Sequence, residues 1–285
     1  MEGPVLLLGA RGLLGSEINS SFSSFLSKAN FYPQDSSSLD LTDHKTVLKT
    51  IKKINPSWII NATAFANVDG AETERNKAQI LNAEVPEQLA DLASELKSRL
   101  VHFSTEYVFS GEGDRPWSET DAKLPVKPNW YAETKLRGEN AVLRHPEHLV
   151  LRIQWLYGKK KNRFVSIGNK DRFTPLVDQF GAPTWTGDVV TALSALMKQK
   201  ASGLFHFAYD DFASWFEVYE FVKSELNLPV QLVPTRSQDL GFPARRPLNG
   251  RLSNEKLKKQ LGVKSLGSWK SSLRRFLQQV QIDQD

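Results

Sequence analysis

Apolar residues in the first hundred positions fall into short unbroken runs separated by longer stretches of helical spacing. Val5, Leu6, Leu7 and Leu8 form the first run, as expected of a parallel strand buried on both faces. Residues 13–26 follow at helical spacing, and Phe31-Tyr32 marks a second short strand. Val47, Leu48, Ile51 and Ile54 predict a helix over 42–54, stopped by Pro56, and Trp58-Ile59-Ile60 a third strand. Leu81, Val85, Leu89, Leu92 and Leu96 make an apolar stripe on the next helix, in which Pro86 demands a kink or a restart. Residues 100–103 predict a fourth strand. Strands alternating with helices predict an α/β fold with a Rossmann-type, doubly wound parallel sheet.

The texture then changes. Residues 110–129 contain Gly111, Gly113, Pro116, Pro125 and Pro128 and read as a long ordered loop, which in a compact domain is often functional. Helical spacing returns over 130–143, a strand over 149–153, and 172–185 reads as irregular. A helix over 189–197, a strand over 204–207, a helix over 215–226 and a last amphipathic helix carrying Trp269, Leu273, Phe276, Leu277 and Val280 complete the chain. There is no repeat, no low-complexity tract and no clean linker. The expected division is therefore interwoven. Residues 1–155 would form the Rossmann-type domain and 156–285 a smaller C-terminal α/β lobe, with one strand and helix returning to the main sheet.

Composition narrows the chemistry. The 285 residues are 40% hydrophobic, enough for a sizeable core, and contain no cysteine. Disulfides, cysteine zinc sites and thiol nucleophiles are thereby excluded. The five histidines (His44, His102, His145, His148 and His206) show no metal-hydrolase spacing, so no metal is expected. Against 32 acidic residues stand 37 Lys and Arg, a net charge of +5, but the positives are scattered, so solvated faces rather than nucleic-acid binding are expected. The apolar run at Val5–Leu8 is too short for a signal or a spanning helix, which predicts a cytoplasmic protein with no membrane partner.

Three constellations carry chemistry. Gly9-Ala10-Arg11-Gly12-Leu13-Leu14-Gly15 is a G-x-x-G-x-x-G between the first strand and the first helix. Glycine allows the tight turn and close approach of backbone to a pyrophosphate, and the helix N-terminus offers free N–H groups to the anion. Asp35, at the end of the second strand, is placed to bind a ribose hydroxyl and favours NAD, whereas a cation inside the loop, Arg11, favours the 2′-phosphate of NADP. Tyr131 and Lys135 stand at i and i+4 on one helix, where an ammonium favours phenolate and makes tyrosine a usable proton donor or acceptor. Ser104-Thr105-Glu106-Tyr107 follows the fourth strand, putting a hydroxyl at the carboxyl edge of the sheet, where such folds bind ligands.

Together these residues resemble the extended short-chain dehydrogenase/reductase superfamily and, within it, the dTDP-4-dehydrorhamnose reductase family. The likeness spans nearly the whole chain. It includes the glycine loop, Leu39-Asp40-Leu41-Thr42-Asp43, Ile60-Asn61-Ala62-Thr63-Ala64-Phe65, Val68-Asp69-Gly70-Ala71-Glu72 and Ser104 to Gly111. It continues through Tyr131 to Lys135 with Gly138-Glu139, Leu151 to Gly158, Asp178 to Thr184, and Arg246-Pro247. The resemblance implies that Gly9, Gly12 and Gly15 with Leu13 and Leu14 hold the diphosphate of NADPH or NADH. Asp40 and Leu41 would flank the adenine, and Ala62, Thr63 and Ala64 run beneath the cofactor ribose. It makes Thr105, Tyr131 and Lys135 the catalytic set, and Thr105, Glu106 and Trp155 contacts of a nucleotide-diphosphate sugar. The reaction implied is reduction of the 4-keto group of a nucleotide-linked 6-deoxyhexose, with Tyr131 as proton donor and Lys135 lowering its pKa. Lys159, Lys160, Lys161, Asn162 and Arg163 are candidates for the sugar nucleotide's diphosphate. A homodimer is compatible with all of this but is not read from the sequence.

The chain departs from the family pattern in three places. Glu106 stands where the family usually has Asp, Gly250 replaces a serine common near Arg246-Pro247, and the stretch between Val165 and Leu176 is shorter than usual, with 168–171 reading as a turn. Two other readings compete. A sugar-nucleotide epimerase or dehydratase of the same superfamily is one, although the two consecutive acids of dehydratases are absent because Tyr107 follows Glu106. A non-catalytic NADP-binding regulatory subunit, of the kind that serves methionine adenosyltransferase, is the other.

Overall fold

The computed structural model describes residues 3–121, 129–160, 162 and 164–282. Six strands form one parallel sheet: β1 Val5–Leu8, β2 Phe31–Gln34, β3 Trp58–Asn61, β4 Arg99–Thr105, β5 Leu149–Ile153 and β6 Gly203–His206. Their order is β6-β5-β4-β3-β1-β2. From β1 the chain goes first to β2 on one side and then back across to β3 on the other. The order therefore reverses at β1 and opens a crevice at the carboxyl ends of β1 and β3.

Alternation along the strands feeds two apolar layers. Val5 and Leu7 of β1, Ile60 of β3 and Leu149 and Leu151 of β5 pack with Leu14, Ile18 and Phe22 of helix α1, Leu13–Phe25. Leu6, Leu8, Ile59, Leu100 and Val150 face the opposite side. There they meet Val47 and Ile51 of α2, His44–Ile54, and Val85 and Leu89 of α3, Val85–Glu95. Helix α2 begins two residues later than its spacing predicts because the Asp43 carboxylate accepts the N–H groups of Lys45 and Thr46 and caps it there. Pro86 does not break its helix. It occupies the first turn of α3, directly after a π-type segment, Ile80–Glu84, that re-phases the hydrogen-bond ladder.

Beyond β4 lie α4 Trp130–Leu143, capped by Asn129, then α5 Thr186–Lys198, α6 Trp215–Glu225, α7 Glu255–Leu261 and α8 Trp269–Ile282. The stretch 172–185, expected to be irregular, instead contains three two-residue strands. Arg172–Phe173 pairs with Gln231–Leu232, Phe180–Gly181 with Ala213–Ser214, and Thr184–Trp185 with Leu156–Tyr157. Of the expected turn at 168–171, Gly168 and Asn169 end a 3-10 helix, Val165–Asn169, and Lys170 leaves it in extended backbone. The loop after β4 is pinned to the C-terminal part by a bridge between Trp117 and Leu252 and by the Asn249 N–H donating to Gly111 O. Its Pro125 and Pro128 lie outside the described residues. No helix among the described residues is long and apolar enough to cross a membrane.

Candidate active site

The glycine loop stands at the crevice. A Cβ on Gly15 would lie 2.0 Å from Gly9 O, and Gly9 itself has φ +83° with Thr63 Cγ2 2.9 Å from where its own Cβ would be. Side chains at either position would push the loop off the sheet. Gly12 caps α1 without a side-chain hydrogen bond, and the first turn, which begins with Leu13 and Leu14, holds no acidic residue. A helix end left open and positive, reached through a side-chain-free loop, fits the diphosphate of a dinucleotide. Ala62, whose N–H donates to Leu8 O, leads Thr63 and Ala64 past the same loop from the end of β3.

Arg11 and Asp35, which argue for different cofactors when read singly, are partners. Arg11 Nε lies 2.8 Å from Asp35 Oδ2, while Ser37 donates its N–H and hydroxyl to Oδ1 at 2.8 and 2.5 Å. These Ser37 hydrogen bonds, with Arg11 beside them, hold the Asp35 carboxyl below its usual range. Asp40 is likewise held low by the Thr42 N–H and hydroxyl, and Leu41 is buried beneath the second apolar layer. Lys160, expected at the sugar nucleotide's diphosphate, donates instead to Arg11 O at 2.8 Å and so closes on the glycine loop. Lys161 and Arg163 lie outside the described residues.

At the carboxyl end of β4 the Thr105 hydroxyl donates to Glu106 Oε2 at 2.8 Å and accepts the Tyr107 N–H at 3.3 Å, and the same hydroxyl is close enough to the Tyr131 phenol to favour its ionised form. Glu106 is only 2% exposed, and burial pushes its carboxyl up to about 7. Lys135, on the same helix as Tyr131, is buried and pushed down to about 8 by desolvation. Its Nζ donates to Phe103 O at 2.6 Å and lies 3.4 Å from His102 Nε2. The expected lowering of Tyr131 by Lys135 is not the balance found here. Burial first, and then the charge of Glu106, raise the phenol.

Trp155 adopts φ +44° and stacks on Trp215 at 3.9 Å between ring centroids. Two of the sequence departures meet in space: a Cβ on Gly250 would lie 3.1 Å from Glu106 Cγ. The structure adds residues that sequence reasoning passed over. Asn61 ends β3, Gln154 directly follows β5, and His102 lies mid-way along β4 opposite Asn61; all three are fully or almost fully buried, and neither side-chain polar atom of Gln154 has a partner among the described residues. For Asn61 and Gln154 a polar residue ending an otherwise apolar run was the available signal; for His102 it was a polar residue inside one. Asp69 and Arg246, noted only as parts of motifs, pair at 2.6 Å next to this site.

Comparison with known proteins agrees with this geometry. A family model described as the RmlD substrate binding domain matches residues 3–282. The chain belongs to this family. It is 34% identical to a dTDP-4-dehydrorhamnose reductase of Shigella flexneri, over 97% of each chain. The crystal structure of a dTDP-4-dehydrorhamnose reductase from Clostridium acetobutylicum superposes with a TM-score of 0.92 at 30% identity, covering 98% of this chain and 99% of that one. One from Bacillus anthracis, solved with NADP, gives 0.90 at 29%, covering 98% and 100%. Family membership makes the chain a nicotinamide-dependent oxidoreductase.

Proposed function

We propose that the protein reduces the 4-keto group of a nucleotide-linked 6-deoxyhexose with NADPH or NADH, as the names of its relatives indicate. The observation that carries the reading is the convergence at the carboxyl end of β4 of the Thr105–Glu106 hydrogen bond and the Tyr131 phenol, with Lys135 one turn along α4 from Tyr131. It stands in a fold whose glycine loop fits a dinucleotide. When bound, the reduced nicotinamide supplies the hydride for the ketone carbon. Gly9, Gly12 and Gly15 with the first turn of α1 would hold its diphosphate, and Ala62, Thr63 and Ala64 would line its ribose. The Arg11–Asp35 pair, with Asp40 and Leu41, would meet the adenosine end.

Tyr131 gives its proton to the substrate oxygen as negative charge develops there. Thr105, beside that phenol, donates to Glu106, which exchanges a proton near neutral pH because its carboxyl is pushed up to about 7. With Glu106 protonated, its upward push on the phenol disappears, and Lys135, still mostly ammonium below its midpoint of about 8, favours release of the proton. Trp155 forms the apolar wall of the sugar pocket.

The test is a panel of nucleotide-linked 4-keto sugars offered with NADPH and with NADH, the products being identified. Stoichiometric loss of reduced-nicotinamide absorbance is expected, whereas product formed with no net cofactor loss would favour the epimerase reading. Tyr131→Phe is expected to abolish turnover and to leave NADPH binding within about threefold of wild type, since a phenol proton acts on the transition state. Retained turnover in that variant would remove Tyr131 from the proton-donor role.

A further inference from the structure

Behind Lys135 runs a buried chain of polar groups that the reaction above does not use. Lys135 Nζ lies 3.4 Å from His102 Nε2, and on the far side of the ring His102 Nδ1 lies 3.4 Å from Asn61 Nδ2. His102 is 0% exposed, Asn61 1% and Lys135 3%. The orientation of the Asn61 amide is not free, because the Thr63 N–H and hydroxyl both donate to Asn61 Oδ1, at 3.1 and 2.5 Å. Its amino end therefore faces the imidazole, and an amino group can only donate. His102 Nδ1 must then be the accepting nitrogen. A neutral imidazole carries one N–H, which falls on Nε2, the nitrogen that faces Lys135. Burial, and then the Lys135 charge, hold His102 well below its ordinary range, so the ring stays neutral.

We propose that His102 is a positioning residue of this active site: fixed by Asn61 as the Nε2–H tautomer, it presents a donor to Lys135 and so favours the lysine's amine over its ammonium. An ammonium has only donors and meets another donor; an amine has a lone pair to receive the N–H. The other groups around Lys135 do not undo this. Phe103 O accepts an N–H from either form of the lysine. Glu139, one turn along α4, favours the ammonium, but its carboxylate is held by Arg152 at 2.5 and 2.8 Å. Tyr131, one turn back, is raised and uncharged. Desolvation already pushes the lysine down to about 8, and the imidazole donor acts in the same direction. The chain also reaches the glycine loop, since Thr63 packs on Gly9, so the proton state of Lys135 is tied to backbone at the carboxyl ends of β1 and β3. That Lys135 serves the reaction rests on the function proposed above; its ionisation does not.

Two measurements on the full-length protein decide it. Long-range 1H–15N correlation spectra of histidine-labelled protein should show His102 neutral and protonated on Nε2 throughout about pH 6 to 9. An Nδ1–H ring, or an imidazolium, overturns the proposal whatever any variant does. Asn61→Asp keeps the size but replaces the donor at Nδ1 by an acceptor. It should move the ring proton to Nδ1, turn a lone pair towards Lys135 and raise the lysine's titration midpoint by about one unit or more, a ~10-fold change in its ionisation equilibrium. That midpoint is read from the 13Cε shift of labelled lysine, and the alkaline limb of kcat/KM should move with it. A switched tautomer with an unmoved lysine midpoint overturns the link between the two residues. If no nucleotide-linked ketosugar oxidises NAD(P)H, the functional reading falls, and the two spectra still decide this one.

Discussion

A carboxyl group that stays protonated to about pH 7 changes how the fold responds to pH. Glu106 titrates at 4.5 when unperturbed and at about 7 in the fold, where burial disfavours its charge. A raised carboxyl favours the folded state fully only below about 4.5, and that share is lost as pH rises to about 7. Glu106→Gln has no such term. Chemical denaturation at about pH 5 and pH 7.5 should find the variant gaining on wild type with rising pH, by at most ~3 kcal/mol. A gap that is independent of pH contradicts the shift. The same residue explains Gly250. Glu106 Cγ stands 3.1 Å and Phe180 O 3.3 Å from where a Cβ at position 250 would lie, so Gly250→Ala should cost about 1–3 kcal/mol alone. It should cost measurably less in a Glu106→Ala background, which removes that Cγ, with a coupling of about 1 kcal/mol in a double-mutant cycle. The sequence displays both departures. It does not show that they touch, because 144 positions of chain separate them and the second reaches the first through long-range pairings such as Asn249 N with Gly111 O and the Trp117–Leu252 bridge.

At the scale of elements, the side chains proposed to be catalytic are only as well placed as α4. That helix lies against the π-type segment before α3 at its closest where Gly138 meets Asn82, a Cβ there falling 2.0 Å from Asn82 O. Asn82 in turn holds the segment after β3 through two hydrogen bonds to the Phe65 backbone, and donates to Thr134 at 3.2 Å. Gly138→Ala must therefore lift the helix that carries Tyr131 and Lys135. We expect a loss of about 1–3 kcal/mol in urea denaturation together with a fall in kcat at saturating substrate; an unchanged kcat would show that α4 can move without moving the chemistry. The strands and long helices were legible because each is a run of one period. The π-type segment and the two-residue strands after residue 155 were not, because their hydrogen bonds join chain positions far apart, as between Phe180–Gly181 and Ala213–Ser214, and no local pattern encodes such a partner.

One buried ion pair ties the main sheet, α4 and the loop after β4 into a single body. Arg152 of β5 is fully buried with Glu139 of α4, which receives two of its N–H groups. Its Nη1 lies 3.0 Å from Nε2 of His206 on β6, and its guanidinium sits over the Phe109 ring, which stacks on Trp117. Burial, then the charge of Arg152, push His206 down to about 3, so its ring is neutral and accepts from the arginine. From sequence alone Arg152 and Glu139 are motif letters with no visible partner, since the contact exists only once β5 and α4 are packed. Removing one charge strands the other in the core, so Glu139→Gln should destabilise by roughly 3–5 kcal/mol, whereas an apolar replacement of both partners should cost much less. Glu139 also favours the Lys135 ammonium. Its neutral variant should therefore move the lysine's midpoint further down, opposite to Asn61→Asp. A Glu139→Gln protein that unfolds at the wild-type urea concentration would show that the pair does not hold these elements together.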